Sequence, residues 1–103
     1  MTLEELVWHM RERRRMYVSD DRFVTMVAFI DGVNCAGPPG RRLLDGFEEW
    51  LAGGPSPLAW SAQILQALGM TAMHSLTPDQ EQAACAEALN LVERFAQTKA
   101  NRG

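Results

Sequence analysis

Five apolar stripes at helical spacing, each bounded by a capping residue, a proline or a glycine, take up nearly all of the 103 residues. A chain divided in this way has little left from which to build a sheet, and no two of its stretches alternate convincingly as strands. The expected class is therefore all-α: one domain over residues 1–103, built as a five-helix bundle-like or orthogonal arrangement. At this length a chain buries roughly 65% of the surface that it exposes when unfolded, enough for one core without staples.

The element boundaries follow from local chemistry. Thr2 and Glu5 form a capping box in which each side chain satisfies the other's orphan N–H, and Leu3, Leu6, Val7 and Met10 then lie on one stripe of a helix over about 2–14. Met16-Tyr17-Val18 reads as an extended connector, with Ser19, Asp20 and Asp21 as caps for a second helix over about 21–31. Phe23, Met26, Val27 and Ile30 form its stripe, and Val24, Ala28 and Phe29 broaden it, so it is expected at the centre of the bundle, with Gly32 as a left-handed stop. A loop from Gly32 to Gly40 leads to a third helix over about 41–52, which carries Leu43, Leu44, Phe47, Trp50 and Leu51 and stops at Gly53-Gly54. Ser56-Pro57 opens a fourth over about 57–68, with Trp60, Ile64, Leu65 and Leu68 on its stripe and Gly69 at its end. Thr77-Pro78-Asp79-Gln80 combines cap, first-turn proline, first-turn acid and capping-box glutamine. It starts a fifth helix over about 78–98, which frays into the polar tail Lys99–Gly103.

Charge and cysteine usage exclude several classes. Ten basic residues stand against 13 acidic ones and the pI is near 5.3, so no overall positive field draws the chain to nucleic acid. Cys35 and Cys85 are fifty residues apart without CxxC spacing, and the N-terminus lacks a basic-then-apolar leader; both features lead us to expect a reduced cytoplasmic location. No apolar run approaches the roughly 20 residues that a membrane span needs.

Few residues are left over once the helices are assigned. Glu5, His9 and Glu12 share a helical face, but such triplets are common on solvated faces and no metal is expected there. Gly32–Arg42 lacks the preceding strand and the Gly-Lys-Ser/Thr of a phosphate loop, and no Gly-x-Ser-x-Gly elbow is present. Neither cysteine has a neighbouring base in the sequence; Cys85 reads as a small packing residue and Cys35, in its loop, as the more reactive thiol. Arg11, Arg13, Arg14 and Arg15 are the densest charge cluster and run into Met16-Tyr17, an arrangement suited to an acidic partner or a strand of nucleic acid, although acids nearby balance it. Trp50 and Trp60 fit their stripes, whereas Trp8 falls beside its own.

Leu3-Glu4-Glu5-Leu6, Arg14-Arg15-Met16-Tyr17-Val18, Phe29-Ile30-Asp31-Gly32, Leu44-Asp45-Gly46-Phe47-Glu48-Glu49-Trp50-Leu51 and Trp60 together resemble a group of small bacterial all-helical proteins of immunity-like or accessory type. Those proteins carry Arg-Pro-x-Met-Tyr-hydrophobic-Gly after the first helix and then a Gly-Phe-x-x-Trp helix. This chain departs from them at Arg14-Arg15, where Arg-Pro-x stands, and at Ser19, where glycine stands. The resemblance covers residues 3 to about 65 and implies an immunity-like role; it carries over no functional residue.

The leading expectation is a non-enzymatic binding protein, an immunity-like inhibitor that masks a protein partner. Trp8, His9, Arg14, Arg15 and Tyr17 are its candidate anchors, and Asp20, Asp21, Glu48 and Glu49 are expected to meet a basic partner. The alternative is a protein that sequesters a small apolar ligand between Phe29, Trp50, Trp60 and methionines. A third is a small biosynthetic enzyme that uses Cys35, His9 or His74 with an acid, which requires two of them within hydrogen-bond reach. No cofactor, nucleic acid or membrane partner is expected, and a homodimer is open.

Overall fold

A computed structural model describes residues 1–70 and 73–102, and among these it is all-helical. The elements are α1 (Leu3–Glu12), a single 3-10 turn (Arg14–Met16), α2 (Phe23–Cys35), α3 (Phe47–Ala52), α4 (Trp60–Ala67) and α5 (Pro78–Arg102). At about 1.5 Å per residue a helix of 25 residues is roughly 37 Å long, and the molecule measures 39 × 31 × 22 Å. One helix therefore spans its longest dimension. The other four pack against α5, which makes it the centre of the fold in place of α2.

The physical reason lies in side-chain size. Helix α5 buries Ala84, Cys85, Ala88 and Ala96 alongside Leu89, Val92 and Phe95, and small residues at helical spacing let several neighbours approach its backbone. The more apolar α2 buries only Phe23, Met26, Val27 and Ile30, with Ala28 exposed and Phe29 half-buried. Helix α1 lays its expected stripe of Leu3, Leu6, Val7 and Met10 into the core. Burial contributes about 2 kcal/mol per such side chain.

Both expected capping boxes form. Thr2 Oγ1 accepts from the Glu5 N–H and Glu5 Oε1 from the Thr2 N–H, each at 3.1 Å. Thr77 and Gln80 make the same reciprocal pair at 2.9 and 3.2 Å. Gly53 and Gly69 take positive φ, 76° and 75°, and end α3 and α4 where expected.

Other boundaries move, each for a tertiary reason. Gly32 does not stop α2, which runs on to Cys35; Val33 packs on the core and Asn34 Oδ1 accepts from the Leu44 N–H at 2.8 Å, holding the extra turn. Residues 43–46 form turns in place of the start of helix three, with Asp45 Oδ2 accepting from the Arg42 N–H. Ser56 makes only a local turn with Leu58, and α4 begins at Trp60. Helix α5 continues past 98 to Arg102. The connector at Met16-Tyr17-Val18 is not extended: Met16 belongs to the 3-10 turn and Tyr17 is αR.

Two helices are capped by carboxylates from remote parts of the chain, not by residues that precede them. No side chain caps α2 from the Ser19–Asp21 segment; the N–H of Phe23, its first residue, donates to Glu81 of α5. At α4 the Trp60 N–H donates to Glu48 Oε2 at 2.9 Å, and its indole Nε1 donates to Asp31 Oδ1 at 2.8 Å. Negative charge at a helix N-terminus meets both its orphan donors and its dipole.

Candidate functional site

The tight path of the chain after α1 builds the site. The Arg13 N–H donates to the His9 carbonyl, and the 3-10 turn closes with N–H bonds from Tyr17 and Val18 to the Arg14 carbonyl at 2.9 and 3.0 Å. This reversal returns Tyr17 to α1, where its hydroxyl lies 3.0 Å from His9 Nδ1. Four rings then form a strip: Trp8 edge-on to His9 at 5.0 Å, His9 to Tyr17 at 5.3 Å and Tyr17 to Phe29 at 5.5 Å. Trp8 is 49% exposed and Tyr17 42%, so the strip is a surface and not core.

Arg13 joins this strip to a second feature. Its guanidinium sits over the Trp8 ring, 5.7 Å from the centroid, and its Nη1 lies 3.9 Å from Met16 Sδ. Met16, 70% exposed, lines an open groove of about 1060 Å³ between the end of α1 and the start of α5. Arg11, Arg13, Arg14, Arg15 and Arg22 line the same groove, and Glu12, Asp21 and Glu81 are its acids.

Most of these charges already have partners. Arg11 pairs with Glu93 at 2.9 Å and with Asn90 Oδ1, tying α1 to α5. Arg15 and Asp21 pair at 3.3 Å with both side chains more than 60% exposed, a pair worth little in water. Arg22 lies 3.9 Å from Glu81. Arg14 Nε donates to the Met10 carbonyl at 2.9 Å. Among the described residues no carboxylate pairs with Arg13 or Arg14. Asp20 accepts from the Arg22 N–H, a bond that, with the Thr25 hydroxyl and the nearby arginine charges, holds its carboxyl below the usual 3.8.

The expected anchors Trp8, His9, Arg14, Arg15 and Tyr17 thus fall around one corner, with Asp20 and Asp21 beside them. Of the acids expected to face a basic partner, Glu48 caps α4, and Asp21 remains largely exposed beside Arg15. The roles of Arg22 and Glu81 were not legible, because both reach the groove only through the packing of α5, and no local pattern links residues nearly sixty positions apart.

The remaining candidates disperse. Trp50 stacks on Phe47 and also meets Phe95, and Trp60 packs tilted against Phe47, so both belong to an aromatic core cluster, whereas the ring partner of Phe29 is Tyr17. These three residues do not converge on an apolar pocket. Cys35 is exposed at the end of α2, and Cys85 is buried in α5, where desolvation raises its thiol above the usual 9.0. Among the described residues no hydrogen bond joins any two of Cys35, His9 and His74, and no three His, Cys, Asp or Glu side chains gather as a ligand set. Glu5 of the helical triplet is held by its capping box, which lowers its carboxyl below 4.5. No helix among the described residues is long and apolar enough to cross a membrane.

The fold and site define an all-helical domain with an aromatic strip beside an arginine-lined groove. Comparison with known proteins finds no matching family model, no matching curated protein and no matching solved structure.

Proposed function

We propose that the protein is a non-enzymatic binding protein that masks part of a protein partner with the face built from Trp8, His9, Met16 and Tyr17. The carrying observation is the grouping of exposed apolar side chains. Of the five large ones exposed among the described residues, Trp8, Met16 and Tyr17 lie within ten positions of one another and are linked through His9 and Arg13. Exposed aromatics held by hydrogen bonds and ring contacts lose little entropy on docking, and with arginine at their edge they match the usual composition of binding hot spots. An immunity-like role, inhibition by covering a partner's surface, is the form of masking that fits the family resemblance.

The partner's chemistry follows from the charges. Among the described residues Arg13 and Arg14 at this corner have no carboxylate partner, which favours an acidic complementary surface. A photo-crosslinking residue placed at Trp8 or Tyr17 is expected to trap one partner in cells, while the same residue at Leu58, an exposed apolar position elsewhere, does not. With that partner purified, Trp8→Ala and Tyr17→Ala should each weaken binding by roughly tenfold or more. Equal affinity for these variants and the unaltered chain overturns the assignment.

A further inference from the structure

We infer that the arginine-lined groove is a docking channel for an extended acidic segment of the partner, one in which carboxylates alternate with apolar side chains. The inference rests on the binding reading above and names what that partner presents to this chain.

Charge is the first argument. The groove gathers five arginines against three acids, which leaves five basic and ten acidic residues for the remainder of the chain. An excess of two positive charges in the lining, on a protein of net negative charge, helps to orient an acidic segment as it approaches. The second argument is availability. Arg13 and Arg14 have no carboxylate partner among the described residues, and the bond from Arg14 Nε to the Met10 carbonyl fixes its guanidinium in place. A planar fork held in this way suits a carboxylate. The Arg15–Asp21 and Arg22–Glu81 pairs, at 3.3 and 3.9 Å, are long enough for an incoming carboxylate to exchange with the resident one.

The lining decides the kind of segment. Met16, Leu76 and Pro78 add apolar surface to the charged lining, which suits a segment that carries apolar side chains as well as carboxylates. At about 1060 Å³ and open to solvent, the groove has room for an extended segment. Glu12, Asp21 and Glu81 interrupt the basic track, which suits a peptide better than a continuous phosphate backbone.

Fluorescence polarisation with a labelled peptide of about twelve residues, glutamate alternating with leucine and phenylalanine, tests the inference. The purified chain is expected to bind it saturably, at least tenfold tighter than the same peptide with lysine for glutamate and tenfold tighter than a single-stranded oligonucleotide of similar length. Affinity should fall as salt rises from about 50 to about 300 mM, as screening of exposed charge requires. Arg13→Gln combined with Arg14→Gln should weaken binding by roughly tenfold with the helical circular dichroism retained; Arg13→Glu alone, at an exposed position, gives the same direction if the double variant unfolds. No binding, tighter binding of the oligonucleotide, or a folded arginine variant that binds like the original chain each overturns the inference. The two readings fail separately: a crosslinked partner that is insensitive to both arginine variants removes the acidic channel and leaves the Trp8–Tyr17 face, whereas peptide binding without any partner at that face does the reverse.

Discussion

The Tyr17 hydroxyl lies 3.0 Å from Nδ1 of His9, eight residues earlier, and this contact ties the segment after α1 back onto the helix. With the proton on Nε2, the neutral imidazole accepts at Nδ1 and the hydroxyl donates. The pair adds a side-chain brace to the backbone reversal that brings Tyr17 to α1, in a strip where Trp8 lies edge-on to His9 and Tyr17 lies against Phe29.

Tyr17→Phe keeps the ring and deletes that bond. Because the bond is at the surface, the cost should be small, about 0.5–1 kcal/mol, or a fall of a few degrees in Tm for a domain of this size. Partner affinity should fall more than stability does, since loosening the strip adds ordering entropy to the cost of docking. Thermal unfolding followed by circular dichroism, beside a binding titration, measures both. A loss of stability with unchanged affinity would show that the strip takes no part in recognition.

Glu81 does two things at the groove: it accepts the N–H that opens α2, and it faces Arg22. Its side chain is 12% exposed, so removing the carboxylate strands a backbone donor in a half-dry setting. Glu81→Ala is expected to cost about 2 kcal/mol in urea unfolding, whereas Glu81→Gln, which keeps an acceptor and loses the charge, should cost roughly half as much. Equal costs for the two would mean that the alanine effect is lost packing and not a lost cap.

These remote caps mark the limit of what could be read from the chain. The α1 stripe, both capping boxes and the glycine stops at Gly53 and Gly69 are local: spacing of three or four residues and one turn's worth of backbone chemistry suffice, and each appears where expected. Gly32 misled because glycine is a weak stop, and Asn34 reaching Leu44 outweighs it. The apolar richness of α2 likewise misled about the centre of the fold. Centrality went to α5, whose alanines admit close neighbours, a property of size and not of hydrophobicity. At the site, the anchors around Trp8 and Tyr17 were legible as residues that the helices did not need. The groove was not, since Arg22 and Glu81 meet there only after α5 has docked.

Trp60 joins three elements, with its backbone N–H on Glu48 of α3 and its indole N–H on Asp31 of α2. Trp60 is 4% exposed, so removal of Asp31 costs its indole donor a well-placed acceptor. Asp31→Ala should cost about 1–3 kcal/mol, and Trp60→Phe combined with Asp31→Ala less than the sum of the two single changes, because donor and acceptor then leave together. A double-mutant cycle in chemical denaturation gives the coupling. A coupling near zero would mean that Asp31 does not hold the ring.

The two thiols should behave oppositely. Cys35 is exposed, while Cys85 is 1% exposed and its thiol is pushed up, chiefly by desolvation; the nearby Arg14 charge opposes this, and the carboxylates of Glu81 and Asp21 add to it. A thiol-reactive dye at pH 8 is expected to label one cysteine quickly and the second only on addition of denaturant, with Cys35→Ser removing the fast phase. The sign of the pH effect follows. The folded state keeps the proton on Cys85 more tightly than the unfolded chain does, so this group's contribution is fully present below about 9.0 and declines as pH rises through the higher folded value. Stability measured by urea unfolding from pH 8 upward should therefore fall more steeply for the unaltered chain than for Cys85→Ala, whose starting stability is lower by the volume lost. Parallel profiles would show that Cys85 ionises as readily in the fold as outside it, and that its neighbours open far more often than its burial between α5 and the Asp21 carbonyl implies.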